Sequence, residues 1–341
     1  MALTDRKLKI LEAIIRDYIE SAEPVGSRSL SRKYELGVSP ATIRNEMSDL
    51  EEMGYIQQPH TSAGRIPSDK GYRLYVDKLM EIRRTAHKNR IKMKSDILKK
   101  YGELEQLLEY TSRVLSEFTQ YTSIVLAPQV KKSRLKQIQL ARLSEETMLA
   151  IFITNTGLIQ NPLFKIPATM KQEDLEKISN FLNKEFVGST LEEIETRMAE
   201  DLKRELAQFH STVYALLPEM FKTLEQVSDV TLYLSGTTNI FNFPEFNDLT
   251  KARSFLNLME ERKTISELIA RQDSDKFNIS IGSENQIQEA KECSIVTTTY
   301  SLDQQTIGQL SVIGPTRMDY DRVISVLGQV SKMMNDILKD K

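Results

Sequence analysis

Between residues 5 and 20, in DRKLKILEAIIRDYIE, apolar side chains recur at Leu8, Leu11, Ile14, Ile15, Tyr18 and Ile19. That spacing predicts an amphipathic helix. SAEPVG follows, and Pro24 and Gly26 are poor helix-interior residues, so the helix is expected to end there. A second short helix, SRSLSRKY, is expected to be capped by Ser27, with Leu30 and Tyr34 facing inward. ELGVS turns the chain, with Gly37 in the turn. A third helix is expected from Pro40 to near Gly54. Ser39 is a good N-cap, and proline suits the first helical position because that N–H has no helical partner. Ile43, Met47 and Leu50 fall on one face; Ala41, Asn45 and Ser48 fall opposite, flanked by Thr42 and Arg44.

After this helix YIQQ alternates like a strand. PHTSAGRIP reads as a turn-rich tip carrying His60, Thr61, Ser62 and Arg65, and SDKGYRLYVDKLM resumes a helix. Three helices, a strand, an exposed loop and a short strand make a winged helix-turn-helix, over residues 1–76. A charged helical linker, 77–103, leads on to the more apolar LLEYTSRVLSEF.

Further along, TSIVLAP is a short buried strand. LKQIQLARL, TMLAIFITN and GLIQNPLFKIP are three strands of an antiparallel meander. Residues 170–227 turn helical, with apolar positions such as Leu175, Ile178, Leu182, Leu191, Ile194 and Met198. DVTLYLSG is again a strand. A loop and two helices follow, then FNISIGSE, CSIVTTTYSL and TIGQLSVIGP as strands, and a closing amphipathic helix, YDRVISVLGQVSKMMNDILKD. A three-strand unit with its own helices thus interrupts a second strand-rich region. The expected fold class is α+β and multidomain, with one domain inserted into another.

Charge changes this picture little. Residues 1–100 hold 20 Lys and Arg against 14 Asp and Glu, and the rest hold 26 against 34. Most of the excess lies in RRTAHKNRIKMK, which suits either a solvated helix face or attraction to phosphate. Residues 1–73 are balanced, 11 against 11, so affinity for a polyanion has to come from placement and dimerisation. No run approaches about 18 apolar residues, so no membrane span is expected, and MALTDRKLKI lacks an apolar signal core. A single cysteine, Cys293, excludes a disulfide framework and a multi-cysteine metal site. A cytoplasmic protein is expected.

The third helix carries the chemistry. Its outward face near the N-terminus is small and polar with one arginine beside it, which suits close approach to a major groove. Asparagine can pair with adenine through two hydrogen bonds, and threonine or serine can bond base edges or phosphates. Free N–H groups at a helix start can hold a phosphate. An arginine in the following loop can enter a narrow minor groove or pair with phosphate. Any capped amphipathic helix has a polar outer face. Its third place in a trihelical unit, the short glycine-containing turn before it and the loop after it together point to double-stranded DNA.

Three stretches, EPVGSR at 23–28, GVSPATIRNEM at 37–47 and QPHTSAGRIPSDKGYR at 58–73, resemble the N-terminal region of the HrcA family of bacterial heat-inducible transcription repressors. SVIGPTRMDYDRVISVL, 311–327, resembles that family's closing signature, and the likeness runs from end to end. The resemblance implies a repressor of class I heat-shock operons that binds the CIRCE inverted repeat as a homodimer and depends on the GroE chaperonin. It implies a GAF-like domain, 104–131 and 228–341, interrupted by an inserted α/β dimerisation domain, 132–227. Carried onto this chain, Ser39, Thr42, Arg44 and Asn45 would read bases or phosphates, with Ser48 on the same outward face. Arg28 would lie near the backbone from the preceding helix, and His60, Thr61 and Arg65 would lie in the wing.

Other classes fit less well. A ligand-sensing regulator would use the GAF-like domain for an effector, but that rests on fold analogy alone, and no small-molecule effector is expected. LSGTTN, 234–239, lacks the Gly-Lys-Ser/Thr of a P-loop and reads as a turn, as does SIGSEN. His60, His87 and His210 are scattered, so no metal is expected. No catalytic set has motif context, so no cofactor and no enzymatic activity are expected. Cys293 is expected to be buried rather than reactive.

Overall fold

The computed structural model describes residues 3–60, 63–79, 104–128, 133–200, 220, 231–270, 277–302 and 305–339. Thr61, Ser62, the linker from 80 to 103, His87, His210 and most of 201–230 lie outside the described residues. So do the proposed domain junctions near 131 and 227.

Helix α1 (Asp5–Ser21) is capped by Thr4, whose hydroxyl accepts the Lys7 N–H at 3.3 Å. It ends within the SAEPVG stretch, as the sequence predicts. Ala22 takes the left-handed conformation, φ 57°, and donates its N–H to Tyr18 O. Helix α2 (Ser27–Lys33) differs by one residue: Gly26 holds the cap position and Ser27 is the first helical residue. The Ser29 hydroxyl lies 2.7 Å from Gly26 O, closing that first turn. Helix α3 (Pro40–Glu52) runs as expected. Ile10, Leu11, Ile14 and Ile15 of α1 bury against Leu30, Ile43, Met47 and Leu50.

Strands β1 (Ile56–Gln57) and β2 (Ile66–Pro67) form an antiparallel hairpin. The EPVG segment adds to it as a bridge, because Val25 and Arg65 exchange both backbone hydrogen bonds at 2.9 Å. This close approach requires glycine at 64, where a Cβ would sit 2.5 Å from Val25 O. Helix α4 (Asp69–Leu74) follows, continued by a π-helical turn, Tyr75–Leu79.

Helix α5 (Leu104–Thr119) leads into β3 (Thr122–Leu126). The sheet that β3 joins has five antiparallel strands in the order β8 (Leu232–Ser235), β3, β11 (Gln305–Pro315), β10 (Cys293–Leu302), β9 (Asn278–Ile281). Alternate residues point to opposite faces. Val125, Val296 and Val312 join the core under α5 and α10 (Tyr320–Lys339). Ile124, Leu126, Ile295 and Ile313 join a second core with α8 (Leu249–Glu260) and α9 (Arg262–Ala270). Both faces are covered, so hydroxyl residues are buried in these strands as well, and Thr297 and Ser311 bond one another at 2.9 Å. The N-terminal helices share one apolar core with the α5/α10 face.

The chain leaves this sheet after Leu126 and re-enters at Leu232 beside the same strand, where Leu126 pairs with Leu232. Between them lies a separate unit. Strands β4 (Leu135–Arg142), β5 (Thr147–Thr154), β6 (Ile159–Gln160) and β7 (Leu163–Lys165) form its sheet, with α6 (Gln172–Phe186) and α7 (Leu191–Glu200). The single third strand expected over GLIQNPLFKIP is in fact two pieces, β6 and β7, both paired with β5. Pro162 breaks the run, since it has no N–H to continue a ladder. Leu175, Ile178, Leu182 and Phe186 of α6 pack on Ile138, Met148 and Phe152, a core of their own.

Candidate nucleic-acid interface

Helix α3 is fixed in rotation by three buried side chains, Ile43, Met47 and Leu50. The opposite surface therefore has one presentation. Ala41, Arg44, Asn45 and Ser48 are exposed there, and Thr42 is half-buried at the first turn. The Ser39 hydroxyl accepts the Thr42 N–H at 3.2 Å and lies 3.0 Å from the Thr42 hydroxyl. These two predicted contact residues are therefore engaged with each other, and they order the helix start. Arg44, Asn45 and Ser48 stand free of such bonds among the described residues.

Three of the four acidic residues of α3, Glu46, Asp49 and Glu51, are paired with cations. The Lys7 ammonium, on α1, lies 2.7 Å from Glu46 and 2.9 Å from Asp49. Those hydrogen bonds, to Glu46 and then Asp49, hold it above the ordinary lysine range. Arg6 lies 3.5 Å from Glu46. Arg65 pairs with Glu51, its Nε donating at 2.9 Å and its Nη2 lying 2.8 Å from the same oxygen. Cations from α1 and from the residue before β2 thus shield carboxylates that would otherwise repel a polyanion from the polar row.

The predicted residues do not share one setting. Arg44, Asn45 and Ser48 share the open face of α3, and Arg28 is exposed in the first turn of α2. His60 is exposed at the hairpin, beyond β1; its carbonyl accepts the Ala63 N–H at 2.9 Å. Thr61 lies outside the described residues. Arg65 differs in kind, because its guanidinium faces back to Glu51 and its backbone to Val25. The sequence reading passed over Arg32, exposed one turn beyond Arg28 on α2. The i, i+4 spacing of two arginines was the signal available. It also passed over Lys7, for which no local signal exists.

Elsewhere, the Cys293 thiol is buried and pushed up to about 12 by that burial, with the Glu292 carboxylate adding to it. Among the described residues no group of three or more His, Cys, Asp and Glu is placed to hold a metal ion. No described helix is long and apolar enough to cross a membrane.

The family model described as "HrcA protein C terminal domain" matches residues 105–324. A heat-inducible transcription repressor HrcA from Alkaliphilus metalliredigens is 53% identical over 341 residues, covering 100% of this chain and 99% of its own. Its counterpart from Clostridium perfringens is 43% identical, covering 99% and 100%. A crystal structure of a hypothetical protein, solved at 2.2 Å, superposes with a TM-score of 0.61 at 23% identity, covering 99% of both chains. That last likeness bears on the fold alone.

Proposed function

The chain belongs to the HrcA family of heat-inducible transcription repressors, and from that premise we propose that residues 1–76 are a winged helix-turn-helix whose helix α3 reads a DNA inverted repeat. It is a repressor of heat-shock transcription and not an enzyme.

The observation that carries the DNA reading is the polar row of α3. Arg44, Asn45 and Ser48 project from a helix that its core face holds still, beside a hairpin positioned as a wing. In helix-turn-helix proteins the second helix of the motif enters the major groove by its N-terminal half. Asn45 is suited to adenine and Arg44 to guanine or phosphate. Arg28 reaches the backbone from α2, and His60 approaches it from the wing. Ser39 and Thr42 hold the helix start, where the Ala41 N–H is the one left for a phosphate, since Pro40 has none and those of Thr42 and Ile43 donate to Ser39.

We further propose that the operator is the CIRCE inverted repeat and that the protein binds it as a homodimer, since a two-fold protein matches two half-sites. The unit inserted between β3 and β8 supplies the dimer contact, and the five-stranded domain is the GAF-like frame around it. Dependence on the GroE chaperonin completes the reading. Repressors a few kcal/mol from unfolding lose active protein when heat draws chaperonin elsewhere.

A gel shift on the inverted repeat tests this, with Arg44→Ala and Asn45→Ala beside the parent. Each substitution is expected to cost about 1–3 kcal/mol of binding. Unchanged affinity in both would remove α3 as the reading helix.

A further inference from the structure

Two of the stretches that carry the family resemblance lie away from the polar row of α3. Residues 69–73, DKGYR, and residues 315–320, PTRMDY, meet or flank one another where the N-terminal unit sits on the five-stranded domain. Their contacts run both ways across that junction.

Arg73, on α4, pairs its guanidinium with both oxygens of Glu284, and its Nη2 also donates to Ile279 O at 2.5 Å. Asp69, at the start of α4, accepts the Ser283 N–H at 2.9 Å. Gly282 makes this approach possible: φ is +52°, and a Cβ there would lie 2.4 Å from the Asp69 carboxylate. From the other side, Arg317 donates to Ile19 O, near the end of α1, at 3.0 Å. Glu245 pairs with its Nε, and the Phe243 ring lies 5.5 Å from the guanidinium. Between the two arginines the buried rings of Tyr72 and Tyr320 meet with centroids 6.1 Å apart.

Apolar packing alone lets two bodies slide or turn. Charge-assisted, bidentate hydrogen bonds are directional. Here a bidentate pair holds α4 and a single charge-assisted bond to Ile19 O holds the end of α1, so rotation about either attachment is opposed by the other. Neither arginine lies on the surface proposed to meet DNA.

We propose that Arg73 and Arg317 are positioning residues that clamp the DNA-reading head onto the five-stranded domain, so that the distance and angle between the two α3 helices of a dimer are set by the body of the protein. This rests on the operator reading above. Its consequence is strict discrimination of half-site spacing. Inserting about 5 base pairs turns one half-site by roughly half a helical turn, which a clamped head cannot follow. A released head can.

The test measures operator binding by the full-length protein on a series of inverted repeats with the spacer lengthened by about 0, 2, 5 and 10 base pairs. Arg73→Ala, Glu284→Gln and Arg317→Ala are compared with the parent, and Arg73→Lys serves as the conservative rescue. The parent is expected to lose at least roughly tenfold in affinity at the half-turn insertion, and the clamp variants to flatten that loss to about threefold or less. Arg73→Lys restores part of it. In parallel, spin labels at Arg32→Cys and Lys332→Cys report the head-to-body distance without DNA. A narrow distribution in the parent that broadens in the clamp variants supports the clamp, including for a variant too unstable to retain operator.

Equal spacing discrimination in parent and clamp variants, with unchanged label distances, overturns the proposal. So does a parent that binds every spacing alike. A parent that binds no inverted repeat overturns the operator reading instead, and the label distances then decide by themselves whether the head is clamped.

Discussion

Arg65 and Glu51 are joined across the base of the hairpin, the guanidinium Nε 2.9 Å and Nη2 2.8 Å from one carboxylate oxygen. Arg65 also exchanges both backbone hydrogen bonds with Val25. An arginine held this way is placed to position the wing against α3, and to neutralise a phosphate it would have to leave Glu51. The salt dependence of operator binding separates the two roles. Arg44→Gln is expected to lower the log–log salt slope by about 1, the share of one phosphate contact. Arg65→Gln is expected to weaken binding with the slope unchanged. A slope that drops equally in both would put Arg65 on the DNA.

Gly64 packs its α-carbon against the backbone of Val25, and a methyl group there would fall 2.5 Å from Val25 O. Backbone cannot give way as a side-chain tip can. Gly64→Ala is expected to cost about 1–3 kcal/mol of stability through overpacking. A urea titration of the full chain would register this as a lower midpoint. An unaltered midpoint would mean that the bridge between EPVG and the hairpin does not persist in solution.

Ser39 offers a way to part folding from binding. Ser39→Ala removes the cap on the Thr42 N–H and is expected to cost about 1 kcal/mol. Ser39→Asp keeps a capping oxygen, so thermal stability should return to near the parent's. Its carboxylate, however, would face the phosphates and weaken operator binding. Stability and affinity moving together across the two variants would show that Ser39 acts only as a cap.

Burial pushes the Glu284 carboxyl up, but the hydrogen bonds from Arg73 and from the Ile281 N–H outweigh it and carry the group below its ordinary value of 4.5. A carboxyl whose folded-state pKa lies below its unfolded one stabilises the fold above the unfolded value, and that contribution is lost as pH falls through the folded value. Stability should therefore decline on acidification below about 4.5. In Glu284→Gln this acid slope should be shallower, while the two proteins differ by a constant at neutral pH. Superimposable slopes would show that Arg73 and Glu284 do not hold each other in solution.

The helical period is local, so the faces of α3 were legible without any structure. Ile43, Met47 and Leu50 fall inward, and Arg44, Asn45 and Ser48 outward, because a 3.6-residue turn leaves no other arrangement. The Ser39 cap and the Pro40 start are equally local, and the helix begins where they put it. The end of α1 was legible too: the helix stops at Ser21, with Ala22 left-handed, inside the SAEPVG stretch that announces it. The third strand of the meander is where a local signal failed: its apolar content masks Pro162 in the sequence, but the ladder breaks there.

Long-range pairing was not legible. Arg65 looks like any wing arginine until the hairpin folds back and brings Glu51 to it. Gly64 looks like a turn glycine until Val25 closes on it. Arg73 and Glu284 lie 211 residues apart and meet only because the β9 end of the sheet docks beside α4. Side-chain periodicity carries the orientation of each element within itself. Which elements meet, and so which charges pair and which remain free for DNA, is decided by packing between parts of the chain that carry no local record of one another.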